Sequence, residues 1–164
     1  MSSSLVWRFG RSPVRNFVSE SPDEGITTQP DGFSYKLEVV VRAIVIDDSR
    51  AMRGIIKRIL KGMDFEISEA CDGQEALTRL AQAGAPDVAM VDWNMPVMNG
   101  LEFIRAIRKD PAFNAMRIVM VTTEVEMTQV ESALTAGANE YVMKPFTEEI
   151  LREKLEMLGF GKAA

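Results

Sequence analysis

Val39-Val40-Val41-Arg42-Ala43-Ile44-Val45-Ile46-Asp47-Asp48 is the stretch from which the fold can be read. Val39–Val41 and Ala43–Ile46 make a nearly continuous β-branched run, which suits a central parallel strand buried on both faces. The run stops abruptly at two carboxylates. Met52, Ile55, Ile56, Ile59 and Leu60 then follow at the i, i+3, i+4, i+7, i+8 spacing of an amphipathic helix, and Ser49 is placed to cap its N-terminus. The first unit is therefore a strand, an acidic turn and a helix.

The unit recurs downstream. A short strand is predicted around Phe65–Ala70, ending at the Asp72-Gly73 turn, with a helix on Ala76, Leu77 and Leu80 closed by Gly84 and Pro86. Val88–Val91 is a third strand, and Asn99-Gly100 leads into a helix on Leu101, Ile104 and Ile107 that stops before Pro111. Ile118–Val121 is a fourth strand. Thr123 and Glu126 have the T-x-x-E spacing of a capping box for a helix on Val130, Ala133 and Leu134, ended by Gly137. Tyr141–Met143 is a fifth strand, and Thr147 caps a last helix on Ile150, Leu151, Leu155 and Leu158. Five alternations of strand and helix predict an α/β fold, one doubly wound five-stranded parallel sheet with helices on both faces.

Upstream of the run the character changes. Residues 1–36 are rich in Ser, Pro and Gly turn signals and lack periodicity, so they read as a flexible N-terminal extension, with 37–164 as the folded domain. Leu5-Val6-Trp7-Arg8-Phe9 stands out within it as a short docking segment. The extension is charge-neutral, so the net charge of −5 belongs to the domain, which argues against a general nucleic-acid binder. No stretch approaches the roughly 20 apolar residues of a membrane span. One cysteine, Cys71, forms no internal disulfide and fits a cytoplasmic location. It reads as a small hydrophobe before a turn, and the eleven methionines read as core filler. There is no histidine, which excludes a His-centred triad and any internal phosphohistidine.

In parallel sheets of this class, ligands bind beyond the carboxyl ends of the strands. The residues there are Asp47 and Asp48 after the first strand, Asp92 after the third, Thr122 at the end of the fourth and Lys144 after the fifth. Three convergent carboxylates repel one another. A hard divalent cation such as Mg²⁺ offsets that repulsion and bridges readily to phosphate. Lysine supplies a point charge for phosphoryl oxygens, and a carboxylate can itself be a nucleophile that forms an acyl phosphate. Such transfer depends mostly on charge neutralisation and positioning, so it needs no histidine base.

Asp47-Asp48, Asp92-Trp93-Asn94-Met95-Pro96 with Asn99-Gly100, Thr122-Thr123-Glu124, Tyr141, and Lys144-Pro145-Phe146 together resemble the receiver domain of two-component response regulators. The intervals fit as well: 45 positions from Asp47 to Asp92, 30 from Asp92 to Thr122 and 22 from Thr122 to Lys144. Trp93-Asn94-Met95-Pro96 and Lys144-Pro145-Phe146-Thr147 are similar to the CheY-like, single-domain chemotaxis members. The resemblance implies a flavodoxin-like strand order of 2-1-3-4-5. It implies Asp92 as phosphoacceptor, and Mg²⁺ held by Asp48, Asp92 and the backbone carbonyl of Asn94, with Asp47 acting through water. Lys144 and Thr122 would contact the phosphoryl group, Tyr141 would be the aromatic switch, and Lys144-Pro145 would be a cis peptide bond. The partners implied are a histidine kinase as phosphodonor, an output protein such as the flagellar motor switch, read through the fourth helix, fifth strand and fifth helix, and a phosphatase. The protein would catalyse only its own phosphorylation and dephosphorylation.

Only six residues follow Leu158, so no output domain is expected there. A phosphate sink or relay sharing a kinase would keep the fold and change the role. A phosphatase of the haloacid dehalogenase kind uses a similar strand-end Asp, but wants a second acid where Asn94 stands. A phosphate-binding loop is excluded, because no G-x-x-x-x-G-K-[ST] occurs.

Overall fold

The computed structural model describes residues 26–28, 34–36, 40–123 and 126–161. The chain divides into two compact units, Met1–Glu38 and Val39–Ala164. In the first, strand Ile26–Thr28 pairs antiparallel with Ser34–Lys36 in the register Ile26↔Lys36, Thr27↔Tyr35, Thr28↔Ser34. The sequence reading placed no strand there, since three residues are too few to establish an alternation. The Asp31-Gly32 turn signal does lie between the two strands. The flexibility of the extension and the docking segment Leu5–Phe9 lie outside the described residues.

The second unit carries β1 (Arg42–Ile46), α1 (Arg50–Lys61), β2 (Glu66–Ala70), α2 (Gly73–Ala83), β3 (Val88–Val91), α3 (Gly100–Ile107), β4 (Arg117–Thr122), α4 (Met127–Ala136), β5 (Glu140–Met143) and α5 (Glu148–Met157). The strands are all parallel, in the order β2-β1-β3-β4-β5. This is the doubly wound sheet expected from the alternation. β1 starts only at Arg42, whose N–H donates to Asp87 Oδ2 at 2.8 Å rather than to a neighbouring strand.

Strand periodicity explains the two cores. Ile44, Ile46, Ala89, Val91, Ile118 and Met120 point to one face, where they meet Leu80 of α2, Phe103 and Ile104 of α3, and Ala133 of α4. Ala43, Val45, Val88, Met90, Val119 and Val121 point to the other, against Ile56 and Leu60 of α1 and Leu151 and Leu155 of α5. Each of the larger side chains among them contributes about 1.5–3 kcal/mol by leaving water. In the central strands β1, β3 and β4, with both faces buried, polar residues are confined to the strand ends. Met90, Met116 and Met120 are core filler as expected, whereas Met127, Met143 and Met157 are exposed.

Four helices are capped as their sequences suggest. Ser49 Oγ accepts from the Met52 N–H at 3.3 Å, Asp72 from Glu75 at 2.9 Å and Thr147 from Ile150 at 3.4 Å. Asn99 and Glu102 form a reciprocal capping box. The box expected at Thr123 and Glu126 is absent: α4 starts after Glu126, which makes no side-chain cap hydrogen bond. The physical reason lies in β4, which runs on to Thr122, where the carbonyl accepts from the Lys144 N–H at 2.8 Å. The strand ladder holds the chain up to Thr122, and α4 begins only at Met127. The other end of α4 is tied firmly. The Arg108 guanidinium donates to the Gly137 carbonyl from Nε and Nη2, to the Phe113 and Met116 carbonyls, and to Asn139 Oδ1.

Val97, in the loop between β3 and α3, has φ of 67° and is 81% exposed. A β-branched residue is strained in the left-handed region by about 1–2 kcal/mol, and its exposure recovers little of that. Val97→Asn, which relieves the strain, should raise the thermal midpoint by several degrees, about 1 kcal/mol in a domain of this size. A melting curve that fails to shift upward would show that the loop is not strained there.

Cys71 lies before a turn as expected, in the bend between β2 and α2, but it is exposed and so does not pack as a small hydrophobe. Its thiol is pushed up to about 11, first by the hydrogen bond to Glu75 and then by burial and Asp72. The thiolate is the reactive species, so iodoacetamide at pH 8 should alkylate Cys71 at least about tenfold more slowly than free cysteine, whose pKa is about 8.5. Glu75→Gln should accelerate the reaction, and equal rates in the two proteins would remove Glu75 as the cause.

Candidate functional site

The carboxyl ends of β1, β3, β4 and β5 form one rim because those strands are adjacent and in parallel register, with Ile46 opposite Val91, Val91 opposite Met120 and Thr122 opposite Met143. The ladder continues into the site residues themselves. The Asp47 N–H donates to the Ala70 carbonyl at 3.2 Å, and the Asp92 N–H to the Ile46 carbonyl at 2.8 Å. Asp92 is also fixed from the helix side. The Gly100 N–H donates to the Trp93 carbonyl at 3.0 Å, and a Cβ at Gly100 would stand 2.2 Å from the Asp92 carbonyl oxygen. Only glycine lets α3 begin this close to the strand end.

Asp47, Asp92 and Thr122 are the buried polar residues among those described, Asp47 being 1% and Asp92 7% exposed. Asp48 is exposed. Lys144 Nζ bridges the two buried carboxylates, 2.7 Å from Asp47 Oδ2 and 3.1 Å from Asp92 Oδ1. The second Asp47 oxygen, Oδ1, accepts the Ser49 N–H at 2.8 Å. Burial pushes the Asp92 carboxyl up and Asp47 adds to that, while Lys144 opposes it. Burial alone would lower the Lys144 ammonium, but hydrogen bonds and charge from Asp47 and Asp92 outweigh it and the net direction is up.

Carboxylate oxygens of Asp47, Asp48 and Asp92 lie within 4.8 Å of one another. Three acids face one lysine, so the rim carries more negative than positive charge. The donors are all oxygen, and exposed Asp48 leaves one side open to water. That set fits a hard divalent cation that retains part of its hydration shell.

Among the residues singled out from sequence, Asp47, Asp48, Asp92 and Lys144 come together, with Thr122 at the end of the intervening strand β4. Asn94 is exposed in the loop two positions after Asp92. Tyr141 is partly buried and packs against the core cluster that holds Phe103 and Ala133. The Lys144-Pro145 peptide bond is cis. Sequence reasoning missed Arg53, whose Nη1 donates to the Asp47 carbonyl at 2.7 Å, and Gly100 as the close-approach glycine. The Asn99-Gly100 pair at a helix start was the available sign for the second. Arg53 gave none, because a basic residue on an amphipathic helix normally reads as solvated.

Two grooves, of about 410 and 500 Å³, lie elsewhere. One is lined by Arg42, Arg79 and Pro86 at the opposite end of β1, the other by Arg105, Thr128 and Ser132 between α3 and α4. Among the described residues no helix is long and apolar enough to cross a membrane.

Comparison with known proteins agrees with this geometry. The response regulator receiver domain family matches residues 43–156. The chain is 43% identical over 119 residues to chemotaxis protein CheY1 of Helicobacter pylori, covering 72% of this chain and 96% of that one. It is 44% identical over 123 residues to the chemotaxis protein CheY homolog of Campylobacter jejuni, covering 74% and 95%. Among solved structures, chemotaxis protein CheY4 of Vibrio cholerae superposes with a TM-score of 0.68 at 33% identity, covering 73% of this chain and 98% of that one. A parallel sheet of this order, ending in a lysine-bridged acidic rim, joins these similarities in one conclusion: the chain belongs to the response regulator receiver domain family.

Proposed function

We propose that this protein is a phosphorylation-dependent switch for chemotaxis, which takes a phosphoryl group from a histidine kinase on Asp92 and signals by binding an output protein such as the flagellar motor switch. The observation that carries the reading is the buried Asp92 carboxylate, bridged by Lys144 and flanked by two further acids. The names of the relatives, chemotaxis proteins, support the pathway.

In the proposed reaction an Asp92 oxygen attacks the phosphorus of phosphohistidine. The P–N bond breaks, the imidazole leaves, and an acyl phosphate forms. Mg²⁺ held by Asp48, Asp92 and the Asn94 carbonyl, with Asp47 acting through water, would neutralise phosphoryl charge. Lys144 gives up part of its contact with Asp92 and follows the new charge. Thr122 donates its hydroxyl to a phosphoryl oxygen, and Tyr141 turns inward beside β4. The protein turns over no external substrate, and a phosphatase partner would hasten the return to rest.

The proposed output surface is α4, β5 and α5. β5 is an edge strand, with α4 over one face of the sheet and α5 over the other. Five of the eight exposed large apolar residues among those described lie on these three elements: Met127, Leu134, Met143, Ile150 and Met157. These side chains give α4, β5 and α5 apolar surface that a partner protein can cover.

Acetyl phosphate with Mg²⁺ should label the wild type, and chelation with EDTA should abolish the labelling. Asp92→Asn should take no label under either condition, and label persisting on that variant would sink the site assignment. Thr122→Ala should still accept phosphate on Asp92. Saturated with beryllofluoride and Mg²⁺, it should bind a motor-switch peptide about tenfold more weakly than wild type, roughly 1.4 kcal/mol. Equal affinities would remove Thr122 from the coupling.

A further inference from the structure

Arg53 sits in the first turn of α1 and directs its guanidinium not at the site's carboxylates but at the backbone beneath them. Nη1 donates to the Asp47 carbonyl at 2.7 Å and, more distantly, to the Asp48 carbonyl at 3.4 Å. Nε donates to Glu69 Oε2 at 3.2 Å. Glu69 is itself anchored, since the Lys57 ammonium, one turn along α1, binds its other oxygen. The lowered pKa of Glu69, due first to Lys57 and opposed by burial, keeps it ionised as a fixed post. Glu69 stands opposite Val45 on β2, one pair before Ile46↔Ala70 at the strand end.

These contacts form a strut from the edge strand, through α1, to the two peptide planes that present Asp47 and Asp48. The planes matter because a carboxylate on one methylene follows its backbone. Asp47 has other supports: its N–H meets the Ala70 carbonyl, its Oδ1 the Ser49 N–H and its Oδ2 Lys144. Asp48 is exposed, in a bend between β1 and α1, with its carbonyl at the far reach of Arg53. The planar fork of arginine spans two carbonyls and a carboxylate at once, as the single ammonium of lysine does not.

We propose that Arg53, anchored by Glu69, is a positioning residue for the acidic rim, holding the Asp47-Asp48 backbone so that the Asp48 carboxylate meets Asp92 in the geometry a divalent cation requires. This rests on the reading of the rim as a Mg²⁺ site. Supports behind metal ligands typically change affinity by 10–100-fold when removed.

The test is a Mg²⁺ titration of Trp93 fluorescence, followed in parallel by urea denaturation in EDTA and in saturating Mg²⁺. Arg53→Met, which keeps the aliphatic stem, should raise the Mg²⁺ midpoint at least tenfold. Glu69→Gln, which leaves the arginine but loosens its anchor, should raise it about threefold, and decides the matter if Arg53→Met does not fold. Arg53→Lys should recover part of the loss. A purely structural role would lower the denaturation midpoint in EDTA and leave the Mg²⁺ midpoint within twofold of wild type, and that outcome overturns the proposal. If wild type and Asp48→Ala respond identically to Mg²⁺, the metal-site reading itself fails and this inference falls with it. A normal response in wild type with normal midpoints in both Arg53→Met and Glu69→Gln removes the strut alone.

Discussion

The ammonium of Lys144 lying between two buried carboxylates is the constraint around which this domain is arranged. Removing an ion from water costs several kcal/mol even after relaxation, and the attraction within a pair repays that only when geometry is good. Here one cation serves two anions that arrive from β1 and β3, while the cation arrives after β5. All three positions depend on the sheet being parallel and in register, because a slip of one residue would invert every side chain from one face to the other. The apolar strands secure that register. Their two faces are buried under helices, so only the ends are left to carry charge, and the charge collects on one rim.

The rim remains short of positive charge, and that shortage is its chemical capacity. An acidic cluster fully neutralised by its own residues would offer little to a cation. The net upward direction at both Asp92 and Lys144 expresses the same tension: burial resists the carboxylate, while the carboxylates retain the lysine proton. The opening at Asp48 is where the deficit meets solvent.

Most of this was legible in the chain. The Ala43–Ile46 run and its acidic ending, the recurrence of the unit and the residues just after each strand give both the sheet and its rim, because each is a local pattern read through one topological rule. What escaped depends on distances between parts remote in sequence, or on competition between local signals. Thr123 and Glu126 have capping spacing, but the β4 ladder claims the chain up to Thr122 first, and the helix starts late. Arg53 resembles many solvated arginines until the fold puts two carbonyls and Glu69 within its reach. The hairpin at Ile26–Thr28 and Ser34–Lys36 is shorter than the window over which alternation can be recognised.

The unequal ends of α4 set its mechanics. Three hydrogen bonds from the Arg108 side chain, two to the Gly137 carbonyl and one to the Asn139 amide, hold the chain just past its C-terminus, while the start at Met127 has no side-chain cap. A rod fixed at one end is a lever. At 1.5 Å per residue α4 is about 15 Å long, so a tilt of only about 10° moves its first turn by roughly 2.5 Å and its last hardly at all. Displacement is then greatest at the end that follows Thr122 and the acidic rim, where exposed Met127 lies. In such an arrangement Arg108, which takes no part in the acidic rim, is what fixes the Gly137 end of the helix.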